Sequence, residues 1–188
     1  MRHHNVNALV QSHINYGISR SVWGHGGETA KLKDLFVGQK RSIRNIFGIK
    51  RVNKYMAGNT KVAFSENRIL TVHNIYFKTL LIEAYQIKMF DTFPKVLSNT
   101  FKFSAINPSR FCTTSFHYST LSKNFMFSLP RVWNAVNSTT EFRDKSFKSL
   151  QSFETFLKTY ILRFQSAGEP MNWDPSNTDI FNFISNSF

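Results

Sequence analysis

Apolar positions recur at helical spacing over most of this chain. Val6, Leu9, Val10, His13, Ile14 and Gly17 follow i, i+3, i+4, i+7, i+8, i+11 spacing, which is one face of an amphipathic helix. The three glycines of Val22-Trp23-Gly24-His25-Gly26-Gly27 end that pattern, and Trp23 is expected to pack on the helix end. A second helix is predicted from Glu28 or Thr29 to the helix-ending Gly48, with Leu32, Leu35, Phe36, Gln39, Ile43, Ile46 and Phe47 as its buried stripe. Asn59 to Arg68 reads as a linker or short helix. A third long helix follows, with Thr71 as cap and Val72, Ile75, Tyr76, Thr79, Leu80, Glu83, Ile87 and Phe90 at helical spacing. Glu83 is the one charged residue on that stripe.

From Lys95 to Pro130 the helical spacing disappears. Phe101, Phe103, Phe111, Phe116, Tyr118, Phe125 and Phe127 alternate with Ser, Thr and Asn, so short extended pieces and turns are expected. A last helix is predicted with Phe147, Leu150, Phe153, Leu157, Tyr160, Ile161 and Phe164 as its stripe and Ser146 as cap. The fold expected is therefore mainly α: a bundle-like helical N-terminal half, an irregular aromatic-rich middle and one further C-terminal helix. Three regions follow from this reading: a basic helical region over 6–93, a second region with the closing helix over 94–165, and a weakly ordered tail over 166–188. That tail holds Glu169, Asp174 and Asp179 and no Lys or Arg.

Composition changes this picture in two ways. The 188 residues include 24 Lys and Arg against 11 acids, a net charge of +13. An excess of that size predicts attraction to polyanions, with nucleic acid the first candidate. Up to Thr60 the count is ten cations against Glu28 and Asp34, so +8 of the +13 lies in the first third. Lys40, Arg41 and Arg44 lie largely off the buried stripe of their helix, and Lys50 and Arg51 follow in a loop. These five are the candidate nucleic-acid-binding residues. Secondly, the chain has 20 phenylalanines, more than its own core is expected to need. Aromatics interleaved with Lys102, Arg110 and Lys123 admit two readings, stacking on bases or burial in a partner domain.

Catalytic chemistry finds no foothold. Cys112 is the single cysteine, so neither an intrachain disulfide nor a cysteine-based zinc site can form. The six histidines pair with no other ligand at a helix-compatible metal spacing, and His3-His4 sit side by side near the start. No Gly-rich phosphate loop, G-x-S-x-G elbow or CxxC occurs. The carboxylates are scattered, the nearest pair being Glu141 and Asp144, whereas two-metal phosphoryl transfer needs them clustered. No catalytic residue, metal, cofactor or small-molecule ligand is expected. With no leader and no span of about 20 apolar residues, an intracellular, non-membrane protein of nucleus or cytoplasm is expected. The abrupt start of the first helical pattern reads as a truncation.

Five stretches together resemble a known family. They are Gln11-Ser12-His13-Ile14-Asn15-Tyr16-Gly17 with Trp23-Gly24 and Gln39-Lys40, Ile43-Arg44, Phe47-Gly48; then Ile69-Leu70-Thr71-Val72 with Ile75-Tyr76; then Asn107-Pro108-Ser109-Arg110; then Phe127-Ser128-Leu129-Pro130-Arg131-Val132-Trp133-Asn134; and finally Phe147 to Leu162. In this order and approximate spacing they resemble the C-terminal segment of reverse transcriptases of non-LTR (LINE, jockey-type) retrotransposons. The resemblance covers about Leu9 to Leu162. Ala135-Val136-Asn137 departs from the family's Leu-Pro, Pro108 stands where it has threonine, and the acidic tail has no counterpart.

The resemblance implies a thumb and post-thumb segment of an RNA-directed DNA polymerase, a part that grips a template–primer duplex through its backbone. The family's catalytic aspartates lie upstream, on a palm strand-turn motif, and no such motif precedes Val6, so no catalytic residue carries over. The implied partners are an RNA or DNA backbone and the missing palm domain. Two alternatives stand beside this reading: a non-functional transposon relic, and a host-adopted helical protein-interaction module.

Overall fold

Val72–Phe90 carries apolar residues around most of its circumference, a pattern that a helix sustains only when neighbours cover it on several sides. A computed structural model of the chain describes residue 12 and residues 29–49, 60–90, 101–112, 125–143 and 145–166. The helical pattern expected over Val6 to Gly17 (Ser12 apart), the Trp23-Gly24 turn, Lys50, Arg51 and the tail from Glu169 lie outside the described residues. Six helices are described: α1 (Thr29–Phe47), α2 (Thr60–Glu66), α3 (Val72–Phe90), α4 (Phe125–Asn137), α5 (Thr140–Arg143) and α6 (Leu150–Ser166). The protein is mainly α, as the spacing predicts. Among the described residues the only β pairing is a single antiparallel bridge, Phe103 to Phe111.

Helix α3 is the centre. It packs on α1, α4 and α6, while α2 packs on α1 and α6. Val72, Leu80, Leu81 and Ala84 are fully buried along it, as are Ile43 from α1, Phe64 from α2, Leu129 and Val136 from α4, and Phe153 and Leu157 from α6. These side chains belong to one hydrophobic cluster whose members lie on both sides of residue 94 in the sequence. Burying each large apolar side chain contributes about 1.5–3 kcal/mol.

The rings account for much of that cluster. Phe153 stacks on Tyr85 with centroids 4.0 Å apart and meets Phe147 edge-on at 5.0 Å. Phe142 packs edge-on against Phe156 and Tyr160, both at 5.0 Å. Of the phenylalanines whose side chains are described, Phe103 alone is exposed. The surplus of rings expected to seek a partner domain is thus, for the described residues, largely taken up by the chain's own core.

Local signals explain most boundaries. Gly48, at φ +67°, ends α1, and the Ile49 N–H reaches back to the Arg44 carbonyl at 2.9 Å, closing a Schellman motif. Helix α2 ends the same way through Arg68, whose φ is +50°, with Ile69 N–H bonded to Phe64 O at 2.9 Å. The Thr71 hydroxyl accepts from Asn74 N–H at 3.3 Å, the cap expected for α3.

Two expectations need correction. The region read as irregular up to Pro130 is helical from Phe125, and α4 runs through Pro130. Proline there forfeits one helical hydrogen bond. Its burial together with Leu129, Val132, Trp133 and Val136 offsets that loss. The C-terminal portion accordingly holds α4 and α5 as well as the single closing helix expected. That closing helix begins at Leu150 and is capped by Ser149 rather than Ser146. Ser149 Oγ accepts from Ser152 N–H and Ser152 Oγ accepts from Ser149 N–H, each at 3.2 Å, a reciprocal capping box. Phe147 is drawn out of the helix instead: its carbonyl accepts from the Tyr85 hydroxyl at 3.2 Å and its ring packs on Phe153.

Candidate nucleic-acid interface

Helix α1 presents the predicted cations in unequal settings. Arg41 is exposed, and Lys40 and Arg44 are half-buried. Lys40 Nζ sits 4.2 Å above the centre of the Phe36 ring one turn earlier. Partial burial, and then the neighbouring Arg44 charge, hold the Lys40 ammonium below its usual pKa. Arg44 Nε is shielded from solvent and finds no hydrogen-bond partner among the described residues. No carboxylate among the described residues pairs with Lys40, Arg41 or Arg44. The structure therefore brings Lys40 and Arg44 together as an uncompensated like-charged pair beside the exposed Arg41. A phosphate is the ligand such a pair would relieve. Lys50 and Arg51, the other two candidates, lie outside the described residues.

Behind that cationic face the helix is held by an amide. Gln39 belongs to the buried stripe, and its side chain reaches the segment that enters α3. Its Nε2 donates to Leu70 O at 2.9 Å and its Oε1 accepts from Val72 N–H at 3.0 Å. Val72 is the first residue of α3, so its N–H has no partner within the helix. From α6, Gln165 makes the matching contacts: Nε2 donates to Ile69 O at 2.6 Å, and Oε1 accepts from Thr71 N–H at 3.2 Å and from Asn74 Nδ2 at 2.6 Å. The Ile69–Val72 segment is clamped between two side-chain amides, which fixes α1 and its cations relative to the core.

A second junction joins the middle of the chain to α4. Residues 101–112 form a short hairpin: Ser104 N–H bonds Arg110 O at 2.8 Å, Cys112 N–H bonds Lys102 O at 2.7 Å, and Arg110 N–H closes a turn onto Asn107 O at 3.0 Å. Pro108 occupies the second position of that turn, where its fixed φ fits. Asn134 grips Phe111 at both backbone groups, accepting from its N–H at 2.9 Å and donating to its carbonyl at 2.8 Å. Trp133 Nε1 and Asn137 Nδ2 both donate to Ser109 O, at 2.9 Å and 3.2 Å.

Gln165 carried no signal in the sequence, since a lone glutamine near a helix end names no partner. Gln39 was visible only as a polar residue on an apolar stripe. Asn134 was part of a quoted motif, but its contact with Phe111 was not legible. Lys102 and Arg110 are both exposed on the hairpin. Phe101 and Phe111, open to stacking on bases or to burial in a partner domain, are instead buried within this chain, Phe111 edge-on to Phe101 and to Trp133.

Among the described residues no group of three or more His, Cys, Asp or Glu side chains could hold a metal ion. No described helix is long and apolar enough to cross a membrane. No family model, curated protein or solved structure matches the chain.

Proposed function

We propose that this chain is thumb and post-thumb sequence of a non-LTR retrotransposon reverse transcriptase. Its retained activity is sequence-independent binding to an RNA or DNA backbone inside the cell, with Lys40, Arg41 and Arg44 as principal contacts and Lys50 and Arg51 beside them.

The observation that carries the reading is that residues quoted for the resemblance bind one another across long stretches of chain. Gln39 bonds Leu70 and Val72. Trp133 bonds Ser109 of the Asn107–Arg110 stretch, and Asn134 bonds the adjoining Phe111. Buried polar groups need such partners. The cations on α1, unpaired with described carboxylates, support a backbone grip.

The test is equilibrium binding of the purified chain to RNA–DNA hybrids of unrelated sequence at low salt. Binding of equal strength to each hybrid is expected. A folded chain that ignores every hybrid belongs instead to a protein-interaction module, and a molten chain to a transposon relic.

A further inference from the structure

Beyond the α1 cations, we infer that the hairpin of residues 101–112 is a second nucleic-acid contact, a β-ribbon that sets Lys102 and Arg110 on backbone phosphates and Ile106 against a base step. This rests on the nucleic-acid reading above but assigns a different element. Alternation along the hairpin sorts its side chains. Phe103 pairs with Phe111, so Phe101, Phe103 and Phe111 share one face; Phe101 and Phe111 are buried there, Phe111 meeting Trp133 edge-on at 6.2 Å, while Phe103 at its margin is exposed. Lys102, paired with Cys112, and Arg110, paired with Ser104, share the opposite face, and both cations are exposed. Residues 101–112 contain no acid, and no described carboxylate pairs with either cation.

At the tip Ile106 is 97% exposed, the most exposed large apolar residue described. Its platform is rigid. The turn from Asn107 to Arg110 is closed by its own backbone bond, Ser109 N–H donates to Asn107 Oδ1 at 3.1 Å, and Trp133, Asn134 and Asn137 tie the ribbon to α4. A short hairpin tied to α4, with cations on its outer face, fits a nucleic-acid groove, and an apolar tip can enter a base step. The charge of the ribbon selects a polyanion over an apolar protein surface.

The test uses the full chain and a duplex carrying 2-aminopurine, whose fluorescence rises when its base unstacks. The wild-type chain is expected to raise that fluorescence. Ile106→Ser loses the rise while affinity falls less than about threefold, and Ile106→Leu retains it. Each lost phosphate contact makes the negative slope of log affinity against log salt shallower by about 0.9, so the Lys102→Ala/Arg110→Ala variant is shallower by about 1.8. All three positions are exposed, so unchanged helical circular dichroism is the folding control. If the chain binds duplex but none of these variants alters fluorescence or slope, the hairpin assignment is overturned and the α1 reading stands. If the chain binds no duplex at any salt, both fall.

Discussion

Gln39 and Gln165 hold alternate residues of one four-residue segment. Gln39 bonds Leu70 O and Val72 N–H; Gln165 bonds Ile69 O and Thr71 N–H. Each amide offers one donor and one acceptor, the pattern a neighbouring strand would supply. The segment entering α3 needs this because it is buried yet belongs to no sheet, and unpaired buried backbone groups are costly.

Replacing either glutamine by leucine keeps much of the volume and orphans two buried backbone groups. Gln39→Leu and Gln165→Leu are each expected to lose roughly 2–4 kcal/mol in urea unfolding. Hydrogen exchange at Val72 should accelerate in the first variant and at Thr71 in the second. A loss below about 0.5 kcal/mol in both would show that the clamp contributes little.

Gly48 and Arg68 occupy equivalent helix-ending positions with opposite residue choices. Both have positive φ, and a Cβ on Gly48 would meet no atom within 4 Å. The cost of a side chain there is purely conformational. Gly48→Ala is expected to destabilise by about 1 kcal/mol, and Arg68→Gly to stabilise by about 0.5–1 kcal/mol. Thermal melts read both, and a destabilising Arg68→Gly would contradict the assignment.

Glu83 carries the pH dependence. Burial on α3 pushes its carboxyl up to about 7 from an ordinary 4.5. The nearby Tyr76 hydroxyl is itself pushed to about 12, chiefly by burial, with the Glu83 charge adding to it and a hydrogen bond with Ser128 opposing. For an acid raised in the folded state, the protonated form favours folding. The contribution is therefore complete below pH 4.5 and lost as pH rises through 7. With one pKa unit worth about 1.4 kcal/mol, the rise from 4.5 to about 7 makes the loss about 3–4 kcal/mol. Glu83→Gln should remove this dependence and exceed the wild type in stability at pH 8. Parallel pH–stability curves for the two proteins would contradict it.

The legible parts of the fold are those where periodicity and punctuation agree. Helices α1 and α3 show 3.6-residue spacing, broken on α3 only at Glu83, with Gly48 and Thr71 at their ends doing what those residue types do locally. Helix α4 was hidden because Pro130 signals a break, and only its burial with Leu129 and Trp133 overrides that signal. The choice of Ser149 over Ser146 depends on Phe147 finding Tyr85, a contact between distant positions that no local rule contains. Of the candidate site, the cations were legible as composition on a helix face. The packing of Lys40 on Phe36 follows from their i, i+4 spacing on one helix, whereas the shielding of Arg44 Nε was not legible, because it depends on how α1 is packed in the fold. Glu83 was visible as an interruption in a stripe, and the structure supplies its consequence.

The most direct test of the backbone grip is the salt dependence of duplex binding for the wild type and for the Lys40→Ala/Arg41→Ala/Arg44→Ala variant. Three lost phosphate contacts at about 0.9 each predict a slope of log affinity against log salt that is shallower (less negative) by about 2.7, with the fold retained. An identical slope in the two proteins, or no binding by the wild type at low salt, would contradict the account.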